Sequence, residues 1–181
     1  CSKSAPSPQY RLRRSQQSPS PRAPAPRAPH PTSTQPPRPA RRRSAVSKAS
    51  SLPRRPTVYF EEWDEPQITG IRWVAELVRI AGGDDAFPEL SAEPLAKARI
   101  LASGAPVVER APDIILGSWC GKKFRPDRVA ARPGWEAIPA VRDGELHEIK
   151  SPLILQPGPA ALTDGVRAIA AIIRRWSGRH G

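Results

Sequence analysis

Residues 113–125 read DIILGSWCGKKFR, an apolar run that ends in a segment holding an indole, a thiol, two glycines and three cations. Cys120 is a candidate nucleophile, with His147 and Glu148 as its conceivable base and orienting acid. A nucleophile elbow places glycine two residues before and two residues after the nucleophile. Here Ser118 occupies the first of those positions and Gly121 follows Cys120 directly. The spacing argues against a Cys–His hydrolase and for an inert thiol. Glu61, Glu62, Asp64 and Glu65 lack the regular spacing of a calcium loop, and His30, His147 and His180 stand apart from cysteine. They are read as a solvated acidic loop and scattered imidazoles, with cations of a protein partner as the alternative use for the carboxylates. No phosphate-cradling glycine pattern occurs, so no nucleotide cofactor is expected.

The second chemical signal is a pair of indoles. Thr57–Phe60 are β-formers in series, and Glu61–Pro66 end that strand in a loop carrying Trp63. Ile114–Leu116 form an unbroken apolar run of the kind buried on both faces of a parallel sheet, followed by the loop carrying Trp119. A third strand is expected after an extended start at Val141 and a turn at Asp143–Gly144, over Glu145–Ile149. The loop Lys150–Gly158 comes next. If these strands are parallel, their three following loops open on one edge of the sheet, and ligands of open α/β sheets bind outside the carboxyl ends of strands. Trp63 and Trp119 then either meet a large, flat, partly apolar ligand or fold back onto the core. Trp73, Trp135 and Trp176 are assigned to the core.

Helices fill the intervals. Thr69 is expected to cap a helix with Ile71, Val74, Leu77, Val78 and Ala81 on one stripe, stopped by Gly82 and Gly83. Phe87 and Leu90 pack under a loop, with short helices near Pro94–Ala98, Ser103–Arg110 and Pro126–Ala131. A last helix from Pro159 presents Leu162, Val166, Ile169, Ile173 and Trp176 at spacings of three and four. The alternation predicts an α/β fold: a single three-layer, Rossmann-like lobe with a small, mainly parallel sheet.

Charge divides the 181 residues in two. Residues 1–56 hold 13 of 24 prolines, 13 of 29 Lys and Arg, and no Asp or Glu, whereas residues 57–181 carry 16 basic and 17 acidic side chains. The formal net charge of +12 therefore belongs to the first stretch rather than to a folded nucleic-acid-binding face, and no specific nucleic acid is expected. Its Pro, Arg, Ser and Ala cannot bury enough apolar surface to offset ordering entropy, so residues 1–56 are read as a disordered tail and 57–181 as the lobe. Within the tail, PPRP at Pro36–Pro39 matches a polyproline ligand, ARRRS and RRPT could hold anionic partners, and Cys1 resembles the start of a mature lipoprotein. An interaction protein acting through this tail is the alternative function. The chain contains no Met, which leads us to expect a processed or partial product.

Three stretches carry a family resemblance: VYFEEWDEPQITGIRWVAELVRIAGG, RAPDIILGSWCGKKFRP, and RPGWEAIPAVRDGELHEIKSPLILQPGPAALTDG. Together they resemble the C-terminal lobe of the cobalamin and iron-siderophore substrate-binding proteins of ABC importers, closest to the cobalamin branch. The resemblance covers about residues 56–177. It implies a non-enzymatic protein that holds a corrinoid between two α/β lobes and delivers it to a membrane permease, in the periplasm or at the cell surface. It places Trp63, Trp119, Lys122, Leu155, Gln156 and Pro157 on cleft-lining loops. It also implies an acidic permease contact, which falls on Ala105 here, with Glu93 and Glu109 nearby. Family members have a complete first lobe before the TVYF strand, where this chain has the proline–arginine stretch.

Overall fold

The computed structural model describes residues 54–180; the tail readings for residues 1–53 lie outside them. Five strands form one sheet: β1 Thr57–Asp64, β2 Gln67–Thr69, β3 Asp84–Asp85, β4 Ile114–Gly117 and β5 Leu146–Glu148. β4 lies between β1 and β5, and all three run parallel, with Val58 opposite Ile114 and Ile115 opposite Leu146. β3 also pairs in parallel with the start of β1, and β2 pairs antiparallel with its end. The carboxyl ends of β1, β4 and β5 thus share one edge, as the sequence predicts.

Alternation along the strands builds two cores. Val58, Phe60, Ile114 and Leu116 face α1 (Arg72–Ala81) and α7 (Val166–His180), where they meet Val74, Leu77, Ile169, Ile173 and Trp176. Tyr59 and Ile115 face the other side, among Phe87, Val107, Trp119, Phe124 and Trp135. That second layer comprises α2 (Pro88–Ser91), α3 (Ala105–Arg110), α4 (Pro126–Ala130) and α5 (Pro139–Arg142). The lobe is therefore helix, sheet, helix. Trp135 and Trp176 are core, and Trp73 is partly buried, its Nε1 donating to the Ile154 carbonyl at 3.1 Å. α1 ends at Gly82 with φ of 104°, a left-handed conformation that glycine adopts without steric penalty.

Several expectations are corrected. The first strand runs on through the acidic residues to Asp64 and returns as β2, because cations elsewhere in the lobe neutralise those carboxylates (below). Thr69 lies in β2 rather than capping α1, whose first residue follows Ile71 with no side-chain cap. Val141 belongs to α5: Pro139 occupies that helix's first turn, where its missing N–H leaves no bond unmade. Within the loop expected at Lys150–Gly158, Ser151–Ile154 form α6, again with proline in the first turn. Before α7 the chain makes a π-helical turn at Ala161–Gly165, which buries Ala161 and Gly165 and leaves Leu162 63% exposed. A π turn takes up extra chain per turn, so the apolar stripe loses Leu162 and continues in register from Ile169.

Arg54 and Arg55, assigned by composition to the tail, are docked on the lobe. Arg54 pairs with Asp113 at 2.9 Å and lies over the Trp176 ring at 5.1 Å. Arg55 pairs with Asp84 at 2.9 Å and donates to the Gly83 carbonyl at 2.6 Å.

Candidate functional site

At the shared strand edge, the first feature is a buried carboxylate. Glu61 is fully buried at the point where β1 meets β4. Its two oxygens accept from both terminal nitrogens of Arg132, at 2.6 and 2.9 Å, from Trp119 Nε1 at 3.0 Å and from the Tyr59 hydroxyl at 3.2 Å. Burial, then the charge of Glu61, holds the Tyr59 hydroxyl well above its ordinary value, so it stays protonated and donates. Burial works against the charge of Arg132, but the hydrogen bonds and charge of Glu61 outweigh it and raise the guanidinium above its ordinary value. Two more acids of this stretch, Glu62 and Asp64, are also paired internally, while Glu65 is exposed. Glu62 takes 2.7 Å from the buried Arg99, which also donates to the Thr69 carbonyl. Asp64 lies 2.5 Å from Lys122 Nζ, an ion pair outside hydrogen-bond geometry. The expectation of a solvated acidic loop is thereby overturned for Glu61, Glu62 and Asp64.

The six predicted contact residues divide. Trp119, Lys122, Leu155 and Gln156 line one depression of about 620 Å³, together with Cys120, Lys123, Glu148 and Lys150. Trp63 borders this group through Lys122, whose Nζ stands 4.5 Å from the Trp63 ring centroid and 5.2 Å from that of Trp119. Pro157 lies apart, in a hollow of about 190 Å³ with Trp73, Leu77 and Leu162. Trp119 is more buried than a loop residue is expected to be, at 3% exposed. Its ring meets that of Phe124 in a T-shaped arrangement with centroids 5.0 Å apart, and its carbonyl accepts from Ser151 Oγ of α6 at 3.1 Å. Of the two uses open to Trp119, it takes the core for most of its surface. Sequence reasoning missed Glu61 and Arg132, which position it; an acid in phase with Tyr59 on a strand was the one available signal.

The thiol arrangement does not assemble. Cys120 is exposed, and among the described residues no hydrogen bond joins it to His147. His147 Nε2 is 2.8 Å from Glu145 Oε2, and Glu145 is also paired with Arg179. Glu148 is bound to Lys150 at 2.8 Å. Burial, then Arg175, holds the imidazole below its ordinary value, so His147 is neutral and donates Nε2–H to Glu145. The sign follows from linkage. The unfolded chain takes up this proton near pH 6.5 and the fold resists it, so the contribution is complete above that pH and is lost as pH falls. We expect the urea midpoint to drop more between about pH 8 and about pH 5 than it does in His147→Gln. Equal drops would refute the assignment. No group of three metal-ligating side chains occurs among the described residues, and no helix among them is long and apolar enough to cross a membrane.

A family model described as periplasmic binding protein matches residues 40–153. The chain belongs to this family. The match begins inside the stretch that composition assigns to the tail. Comparison with curated proteins finds no match. Among solved structures, the periplasmic vitamin B12 binding protein BtuF of Vibrio cholerae superposes with a TM-score of 0.55 at 17% identity, over 74% of this chain and 49% of that one. The apo periplasmic heme-binding protein RhuT from Roseiflexus sp. RS-1 gives 0.58 at 18%, over 75% and 52%. IsdE of S. aureus complexed with heme gives 0.57 at 16%, over 72% and 52%. These likenesses establish the fold, and the chain spans about half the length of the structures it matches. Glu93 and Glu109, near the place of the expected permease contact, are both exposed. Glu109 and Ala105 border a hollow of about 650 Å³ beside Arg132 and Trp135.

Proposed function

We propose that this member of the periplasmic binding protein family is the C-terminal lobe of an importer's substrate-binding protein and contributes one wall of a corrinoid cleft. The lobe is residues 57–181, Trp63, Trp119, Lys122, Leu155, Gln156 and Pro157 are the contact residues, and a permease is the partner, met through Glu93 or Glu109. The reading is that of a binder without catalysis. The observation that carries it is the depression at the carboxyl ends of β4 and β5, where four of those six residues converge from two loops. Its apolar part, formed by Pro152 and Leu155 with the nearly buried Trp119 at its border, suits the rim of a large macrocycle. Lys122, fixed between two indoles, keeps Trp63 beside that rim.

Equilibrium dialysis of the chain against cyanocobalamin, haemin and a ferric siderophore tests this reading. Saturable retention of cyanocobalamin, lost in Leu155→Asp, is the expected result. Preferential retention of haemin or of the siderophore, or retention of none, overturns the corrinoid assignment.

A further inference from the structure

We infer that the strand-end depression contains an oxyanion subsite at Lys123 and Lys150, which takes a phosphate or carboxylate carried by an otherwise apolar ligand. The inference rests on the reading of this depression as the ligand site. Its basis is how charge is distributed around the edge. The acids at the end of β1 are used internally: Glu61 by Arg132, Glu62 by Arg99 and Asp64 by Lys122. The depression itself is lined by three ammonium groups, those of Lys122, Lys123 and Lys150, against the single carboxylate of Glu148. Asp64 offsets Lys122 and Glu148 offsets Lys150, so the excess of positive charge at this mouth is that of Lys123.

The three lysines are not equivalent. Lys122 is held by Asp64 and the two indole faces, so it is fixed in place. Lys150, 64% exposed, is bound only to Glu148. Lys150, then the backbone N–H of Phe124 and the charge of Lys123, keep that carboxylate below its ordinary value despite some burial. Lys123 is exposed and has no ion-pair partner among the described residues. An exposed Lys–Glu pair contributes little, so Lys150 can turn to an incoming anion at small cost, and a charge-assisted bond to phosphate or carboxylate is the stronger one. Beside these ammonium groups lie Pro152 and Leu155, and Gly121 places no side chain over the opening. The lining is therefore of two kinds, cationic at Lys123 and Lys150 and apolar at Pro152 and Leu155.

Two corrinoids separate this inference from the reading beneath it. Cyanocobalamin carries a phosphodiester in its nucleotide loop, and dicyanocobinamide lacks it. Dialysis of the full chain is expected to show cyanocobalamin bound roughly five- to tenfold more tightly at low salt, with the difference shrinking at high salt. Lys123→Gln with Lys150→Gln should abolish the difference, and the corresponding arginine pair should retain it. Equal affinity for the two corrinoids would overturn the subsite and leave the corrinoid assignment standing. Salt-sensitive retention of haemin alone, lost in the glutamine pair, would support the subsite and overturn the corrinoid assignment. Retention of none of the three overturns both.

Discussion

Glu61→Ala is expected to lower the unfolding free energy by about 3 kcal/mol, the lower end of what removing one partner of a buried ion pair costs. The loss is not that of one contact. Three donors converge on this carboxylate, and the substitution strands the Arg132 guanidinium, Trp119 Nε1 and the Tyr59 hydroxyl in a site that water barely reaches. Arg132 keeps some access to solvent, with 19% of its side chain exposed, and that holds the expected cost below the top of the range. Glu61→Gln keeps an acceptor for Trp119 but removes the charge facing Arg132, and should fall between wild type and alanine. Denaturant midpoints measure the order, and tryptophan emission reports whether Trp119 leaves its place. If alanine costs no more than glutamine, the network is not what holds the β1–β4 junction.

Gly117→Ala is expected to cost about 3 kcal/mol, the upper end of overpacking costs in well-filled cores. A Cβ at Gly117 would stand 1.9 and 2.1 Å from two ring carbons of Phe124. That ring is not the free end of a flexible side chain. It is buried to 1% exposure and packs edge-on against Trp119, so it cannot yield without moving the floor of the depression. Stability and ligand retention should fall together. Phe124→Leu in the same chain removes ring atoms from the clash and should restore part of the loss. A freely tolerated alanine would mean that Phe124 has another place to go.

The parallel centre of the sheet is legible because Ile114–Leu116 is continuous and the lobe's helices have clear stops, as at Gly82. The β1–β2 hairpin is not, because its signal is tertiary. Glu61, Glu62 and Asp64 resemble a strand end until Arg132, Arg99 and Lys122, at least 37 residues away in sequence, are brought beside them. Short proline-led helices are lost for another reason. Four-residue segments such as Pro139–Arg142 and Ser151–Ile154 show no periodicity, so the apolar content of Val141 suggests a strand as readily as a helix. Of the site, the shared edge follows once the three strands are read as parallel. Of its loops, the one after β4 lies where it is expected, whereas the first is a hairpin and the third contains α6. The internal use of Trp119 is not legible, because an indole after a strand is equally compatible with cleft and core until its donor partner is known.

The π turn at Ala161–Gly165 bears on how this chain can vary in length. A single extra residue taken up in one turn leaves Ile169, Ile173 and Trp176 seated against the sheet, while Leu162 carries the displacement outward. That turn is where the last helix can gain or lose one position without rotating everything that follows. An alignment gap placed there is structurally silent, whereas one placed a turn later would turn the whole apolar face of α7 away from the core.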